Sequence, residues 1–357
     1  LFPLPMSVSP HAPLSVGLDR LAHFDAVIDV RSPSEFAEDH IPGALNCPVL
    51  DDEERRRVGT LYKQVSPFEA RKLGAALVSR NIARHLETHF LSKPKGWKPL
   101  VCCWRGGQRS GAMTLVLNQV GWGARQLAGG YKAFRQQVMD DLVALPEGLS
   151  FRILCGPTGS GKTALLRRLA AQGGQVLDLE GLAVHKGSVL GGDVVRPQPG
   201  QKAFETGLWQ ALRGFDPARP VWVEAESRRI GRLHLPPELF ARLADGRCTL
   251  VRAPLEARVA YLLRDYADLI AEPAAFGARL ERLIPLHGHE RVLAWRAQIE
   301  GGDWETLARE LIVTHYDPAY RRGGDGLYRK VAQAAVLEAE SLDADTLDAL
   351  ARGLADA

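Results

Sequence analysis

Phe151-Arg152-Ile153-Leu154-Cys155-Gly156-Pro157-Thr158-Gly159-Ser160-Gly161-Lys162-Thr163 is the stretch that decides the fold of the second half of the chain. Its mostly apolar first five residues read as a buried parallel strand. The next eight fit GxxxxGK[ST], the phosphate-binding loop, and the helical spacing from Ala164 to Ala171 supplies the helix that such a loop opens. Backbone N–H groups of Gly156, Pro157, Thr158, Gly159, Ser160, Gly161, Lys162 and Thr163 are the candidate cradle, less the proline, which has no N–H. Lys162 would reach the outer phosphates, and Thr163 is placed to bind Mg²⁺. The motif demands a polyphosphate and leaves ATP open. An acid should end a neighbouring strand. Val221-Trp222-Val223-Glu224 is that strand, with Glu226 two residues on along the same side. Glu in place of the usual Asp argues against a vigorous ATPase. Arg228, Arg229 and Arg232 follow, as a solvated basic face or as a contact to phosphate or RNA.

Around this loop, Val176-Leu177-Asp178 and Cys248-Thr249-Leu250-Val251 are further strand candidates. Beyond Pro254 the apolar spacing predicts helices over 255–269, 275–283, 292–299, 304–311 and 331–337. A P-loop α/β domain is therefore expected over 150–254, with a helical C-terminal part over 255–357. Pro146 and Gly148 mark the boundary before it, with a helical linker over 137–149.

Length and composition agree with two domains. The chain has 357 residues, 46% hydrophobic and 24% charged, which excludes a disordered, collagen-like or coiled-coil protein. There is no uncharged apolar run of about 18 residues, so no membrane span is expected. The five cysteines contain no CxxC pair, and they predict a reducing, cytoplasmic setting rather than a disulfide framework or a zinc site. The net charge is only +3, but 35 of the 45 basic residues are Arg, a bias that suits phosphate or RNA and also follows from GC-rich codons. Residues 1–14 have no positive n-region and no signal-peptide pattern, and are expected to be irregular or foreign to the natural start, with Met6 a candidate initiator.

The first half alternates short strands and helices, as a parallel α/β sheet does. Ala26 to Arg31 reads as a buried strand, and Ser32 caps a short helix holding Pro33 and Glu35. Leu45 to Val49 and Pro99 to Cys102 are strands, and Glu69 to Leu86 and Ser110 to Val120 are helices. The chemical signal is Cys103-Trp104-Arg105-Gly106-Gly107-Gln108-Arg109-Ser110, between a strand and a helix. Such a loop turns its amides inward around an anion and adds the positive end of the following helix. Cys103 should be held partly as thiolate there, a nucleophile for phosphorus, sulfur or selenium. Arg105 and Arg109 would hold the oxyanion with the amides of Gly106, Gly107, Gln108 and Ser110. Trp104 is either a stacking platform for a base or packing against the neighbouring helix. The other four cysteines read as core residues.

Asp29-Val30-Arg31, Glu35-Phe36, His40-Ile41-Pro42-Gly43-Ala44 and Leu127-Ala128-Gly129-Gly130-Tyr131 together with the cysteine loop resemble a rhodanese domain over 15–136. Five residues separate Cys103 from Arg109, where sulfurtransferase rhodaneses usually have four. This longer loop is similar to that of the dual-specificity phosphatase branch and suits a tetrahedral, phosphate-like group. Further segments extend the resemblance: Gly59-Thr60-Leu61-Tyr62-Lys63-Gln64, Asp178-Leu179-Glu180-Gly181-Leu182, His185-Lys186-Gly187-Ser188, Gln198-Pro199-Gly200-Gln201-Lys202, Glu224 to Gly231 and His315-Tyr316-Asp317-Pro318. Over roughly 15–325 the chain resembles the tRNA 2-selenouridine synthase family. Members often have Asp where this chain has Ala225.

That resemblance implies a rhodanese-like parallel sheet domain followed by a P-loop NTPase-like α/β domain with a helical C-terminal region. It implies a transferase acting on the wobble uridine of tRNA, replacing the sulfur of 2-thiouridine with selenium from selenophosphate through an S-geranyl intermediate made from geranyl diphosphate. Selenophosphate chemistry is then expected at Cys103, as a perselenide or by direct attack, and the diphosphate at 156–163. The expected partners are the anticodon region of tRNA and the enzyme that makes selenophosphate. The rival readings are a rhodanese-fold cysteine phosphatase or arsenate reductase, a P-loop kinase with a rhodanese sensor domain, and a non-catalytic tRNA-binding protein.

Overall fold

The computed structural model describes residues 15–188, 190–192, 196–321 and 328–355. The expectation for residues 1–14 lies outside these. The chain forms two compact units, one ending at Asp140 and the next beginning at Asp141.

The first unit holds a parallel sheet of β1 (Ser15–Val16), β2 (Ala26–Asp29), β3 (Leu45–Asn46), β4 (Pro99–Cys102) and β5 (Arg125–Leu127) in the order β1-β5-β4-β2-β3. Its helices are α1 (Pro33–Glu38), α2 (Asp52–Gln64), α3 (Pro67–His85), α4 (Gln108–Val120) and α5 (Gly130–Ala144). Ser32 and Glu35 form the reciprocal cap of α1. Asp51 and Glu54 do the same for α2, a helix whose low apolar content hid it from periodicity. Every residue of β4 is buried, as its apolar run requires. β3 is shorter than expected, because Pro48 has no N–H for the ladder.

Beneath the ends of β2 and β4 lies a buried ionic knot. Arg31 Nη2 reaches Asp29 at 2.6 Å and the Asp39 carbonyl at 2.7 Å. The Tyr131 hydroxyl donates to Asp39 at 2.8 Å, and the Arg31 guanidinium lies 3.8 Å from the centre of the Tyr131 ring. The knot ties three separate sequence segments into one scaffold.

The second unit holds β6 (Phe151–Cys155), β7 (Gln175–Leu177), β8 (Val221–Glu224), β11 (Arg247–Arg252) and β12 (Ala335–Glu338), parallel in the order β12-β11-β6-β8-β7. A hairpin, β9 (Arg229–Ile230) and β10 (Leu233–His234), follows β8. Helices α6 (Lys162–Ala171), α7 (Leu179–Ala183), α8 (Gln201–Arg213) and α9 (Pro237–Ala244) belong to the α/β layer. Then come α10 (Leu255–Asp265), α11 (Ala267–Ile270), α12 (Pro273–Leu280), α13 (Ile284–His287), α14 (His289–Glu300), α15 (Trp304–Leu311) and α16 (Ala344–Ala355). Helices α11, α12, α14 and α15 gather their own apolar core around the buried Trp295.

One expectation is corrected. The helix expected over 331–337 is a single 3₁₀ turn, Val331–Gln333, followed by β12, which pairs with β11 from Thr249 opposite Ala335 to Arg252 opposite Glu338. A seven-residue apolar run cannot distinguish strand from helix, and the open edge of β11 decides it by offering a ladder. The stretch expected as a helical linker over 137–149 is the end of α5 followed by a 3₁₀ turn, Leu145–Gly148, where Pro146 ends the α-helical hydrogen-bond pattern.

Two candidate anion sites

The cysteine loop joins β4 to α4. Cys103 is 3% exposed, so only the mouth of the loop admits a reactant to its sulfur. The Ser110 hydroxyl donates to that sulfur at 3.1 Å and the Gly107 amide at 3.3 Å. Burial pushes the thiol up, but the Ser110 hydroxyl and the loop amides outweigh burial and hold it below its ordinary value. Gln126 on β5 braces the loop from behind, donating to the Gly107 carbonyl and the Ser110 hydroxyl at 2.9 Å each. Gly130 closes the other side, at φ +59°. A Cβ there would stand 2.2 Å from the Cys103 carbonyl and 2.6 Å from the Gly106 amide. Cys102 is fully buried with its thiol pushed well up by burial, which is core behaviour.

The two arginines expected to hold the oxyanion are placed differently from each other. Arg109 pairs with Glu35 at 2.8 Å. Burial opposes the ionised form of Glu35, yet Arg109 and Arg55 hold that carboxyl below its ordinary range. Arg105 is exposed, as are Gly107 and Gln108. The groups that lower the sulfur most are the Ser110 hydroxyl and the amides of the loop. Trp104 is half-buried, its ring 5.4 Å from that of Tyr131 on α5, so it packs on the neighbouring helix and leaves one part open.

The phosphate loop joins β6 to α6. Gly156, Gly159 and Gly161 take φ of 149°, 80° and 79°, and a Cβ on Gly156 would lie 2.6 Å from the Ser160 hydroxyl. Lys162 Nζ donates to the carbonyls of Gly156 at 2.7 Å and Pro157 at 3.2 Å. Burial pushes that ammonium below its ordinary value, against the pull of Glu180, Glu226 and Glu224. The loop and its surroundings enclose a cavity of about 470 Å³.

The acids are arranged differently from the sequence expectation. Thr163 donates to Glu180 at 2.8 Å, so Glu180 is the acid that meets the loop hydroxyl. Glu224 is buried behind it and accepts the Glu180 N–H at 3.0 Å, while its second oxygen has no hydrogen-bond partner. Burial drives Glu224 well above the ordinary carboxyl range. Glu226 lies past the end of β8, lines the cavity, and is pushed up by burial to about 7. Within the segment Asp178 to Leu182, Glu180 is the second residue of α7, directly after a short strand, a position that no local motif marks.

Arg258 carries no sequence signal, and Asp317 stands out only as part of the segment His315 to Pro318. Arg258 on α10 donates to the Thr158 carbonyl at 2.8 Å and pairs with Asp317 at 2.6 Å, clamping the loop from the helical side. They are far apart in sequence and no spacing links them. Of the expected basic residues, Arg228 lies 5.6 Å over the ring of Phe240. Arg229 donates to the Gly231 carbonyl and lines a second cavity of about 560 Å³ with Arg196, Arg232, Arg279 and Arg282.

Residues 17–137 match the rhodanese-like domain, and residues 149–282 match the AAA domain of tRNA 2-selenouridine synthase. Curated proteins named tRNA 2-selenouridine synthase align along the chain. The one from Nitrosomonas europaea is 37% identical over 76% of this chain and 71% of its own. The one from Marinobacter nauticus is 40% identical over 68% and 65%, and the one from Hydrogenovibrio crunogenus is 35% identical over 82% and 88%. The chain belongs to the tRNA 2-selenouridine synthase family. Membership of the tRNA 2-selenouridine synthase family makes it an enzyme, a transferase, with a rhodanese half and a P-loop half. Among the described residues, no helix is long and apolar enough to cross a membrane.

Proposed function

We propose that the chain converts 2-thiouridine at the tRNA wobble position to 2-selenouridine, with selenophosphate as selenium donor and geranyl diphosphate as the source of an S-geranyl intermediate. One observation carries this reading: a single chain contains a cysteine held in an amide cradle and a separate polyphosphate loop. Neither a phosphatase nor a kinase uses both.

At the phosphate loop, the thiocarbonyl sulfur attacks C1 of geranyl diphosphate. A carbon–sulfur bond forms, the carbon–oxygen bond breaks, and pyrophosphate leaves into the amides of 156–163 with Lys162 on its outer oxygens. Thr163 and Glu180 are a pair of hard oxygen donors 2.8 Å apart, which suits Mg²⁺ shared with substrate phosphates, and the ion would neutralise charge on the departing pyrophosphate. At the cysteine loop, the Cys103 thiolate attacks phosphorus of selenophosphate, a sulfur–phosphorus bond forms as the phosphorus–selenium bond breaks, and water then hydrolyses the phosphocysteine to phosphate and free thiol. The selenide released displaces geranylthiol from C2 of the base, and the amides around Cys103 hold the phosphoryl oxygens. Trp104, Gln108 and Arg105 line the mouth. The arginine-lined cavity beside Arg229 supplies phosphate-backbone contacts to the tRNA, so binding weakens with salt. A tRNA enzyme of this kind works in the cytoplasm, supplied by the enzyme that makes selenophosphate.

The test is mass spectrometry of nucleosides from 2-thiouridine tRNA incubated with the protein. Geranyl diphosphate alone should add a geranyl mass, and selenophosphate added next should exchange sulfur for selenium. Cys103→Ser should stop selenation and spare geranylation, and Lys162→Ala should impair geranylation. No mass change in either reaction, with intact tRNA and ligands, would sink the proposal.

A further inference from the structure

Beside the phosphate loop the second unit contains an apolar lobe. It is walled by Leu262 of α10, Phe276 of α12, and Trp304, Leu307 and Leu311 of α15. Phe276 and Trp304 stack at 5.7 Å between ring centres to form its floor. The lobe adjoins the phosphate-loop cavity, and Thr158, Leu262, Tyr266 and Tyr316 line both. Thr158 is itself a loop residue, and its carbonyl is the one Arg258 holds. A ligand whose phosphates sit in the loop therefore has a dry exit for its other end. A nucleoside would bring a polar base and ribose into that lobe with few partners to meet them, at a desolvation cost. A hydrocarbon chain meets only matching surface.

We propose that this lobe binds the far end of a prenyl chain and sets the length of prenyl diphosphate the enzyme accepts. This rests on the reading of the phosphate loop as a diphosphate site. The lobe encloses about 50 Å³, room for about four waters, the scale of one branched five-carbon unit. A ten-carbon chain puts its first unit along Tyr266 and Tyr316 in the larger cavity and its second in the lobe. A fifteen-carbon chain runs into Phe276 and Trp304. Ala308, also in the wall, is half-buried, so a larger side chain there fills the lobe without disturbing the loop.

Equilibrium binding to the full chain tests this with four probes: inorganic pyrophosphate and the C5, C10 and C15 prenyl diphosphates. The C10 compound should bind about a hundredfold tighter than pyrophosphate, and the C15 compound should lose most of that gain. Ala308→Phe should reduce the C10 compound to the affinity of pyrophosphate while leaving pyrophosphate unchanged, with Ala308→Leu as a milder filling. Trp304→Ala should admit the C15 compound. Equal affinity for pyrophosphate and the C10 compound, or an Ala308→Phe protein that keeps the gain, overturns the lobe and spares the phosphate loop. Failure of pyrophosphate and every prenyl diphosphate to bind overturns the phosphate-loop reading itself.

A second, separate cluster lies in the first unit. Cys47, His85 and His89 bring one ligand atom each to within 4.8 Å of one another. His85 is 6% exposed, its Nε2 faces the Pro48 carbonyl at 2.9 Å, and its Nδ1 has no partner. A ring N–H given to a carbonyl, with the other nitrogen's lone pair free, is the usual posture of a metal-bound imidazole. His89 follows one turn on, across a π-turn at Leu86–Phe90. The geometry points to a Zn²⁺ site with these three ligands and one open position, since thiolate and imidazole together favour that ion. Titration of the reduced full chain with Co²⁺, in a Cys103→Ser background, should give tetrahedral visible bands that Zn²⁺ abolishes. His89→Ala, an exposed change that leaves folding intact, should remove the bands and the rise in melting temperature with Zn²⁺. Absence of bands in the parent protein, or their persistence in His89→Ala, overturns the site.

Discussion

Ser110 donates its hydroxyl to the Cys103 sulfur at 3.1 Å from the first turn of α4, and this one contact leads the groups that hold the thiol down. Ser110→Ala should therefore raise the pH at which Cys103 becomes reactive. The rate of alkylation by iodoacetamide, followed against pH, is the measurement. The parent protein loses reactivity only as pH falls through its lowered value, whereas the variant loses it at higher pH and reacts more slowly at neutrality. Coincident profiles would assign the cradle to the amides alone.

Gly130→Ala should collapse the same loop from its other side. Its Cβ meets the Cys103 carbonyl at 2.2 Å and two loop amides at 3.0 Å or less, all of them backbone. The left-handed φ adds further strain. We expect a loss of stability of about 2–4 kcal/mol in urea unfolding, with alkylation of Cys103 no longer favoured. Gly121→Ala is a control, because its φ is also positive but no atom lies within 4 Å of the added Cβ.

Glu226 gives the phosphate loop a pH dependence. Its folded value of about 7 lies above the ordinary 4.5, so its neutral form is kept as the unfolded chain ionises. The stability associated with it is complete at low pH and is lost as pH rises toward 7. Glu226→Gln should match the parent at pH 4 and exceed it by about 1–3 kcal/mol at pH 8 without metal. Metal-free pyrophosphate binding should weaken more steeply through pH 7 in the parent than in the variant. A variant with the parental profile in both measurements would place the titration elsewhere.

Arg258→Ala should uncouple the loop from the helical part. It leaves Asp317 without its partner and frees the Thr158 carbonyl, at a cost of about 3 kcal/mol. Pyrophosphate affinity should fall with it. Arg258→Lys should recover stability better than affinity, since an ammonium cannot bridge Asp317 and Thr158 with two planar forks.

Much of this was legible in the sequence wherever chemistry and local geometry coincide. The loop after β6 and the loop after β4 each sit at a strand–helix junction, and both motifs hold the glycines their curves need. What escaped depends on distant residues meeting. Glu180 reaches Thr163 from another helix, and Asp317 reaches Arg258 across 59 positions. Arg109 meets Glu35, 74 residues earlier, a contact that no local spacing shows. β12 was misread because edge pairing, absent from any local pattern, chose its conformation.

Lys162 Nζ donates to the carbonyls of Gly156 and Pro157, so the last turn of the phosphate loop is fastened to its first two residues by a side chain. The lysine is a strut as well as a charge. Lys162→Ala therefore removes a brace from the curve in the same step in which it removes a cation, and a loss of function in that variant carries both effects.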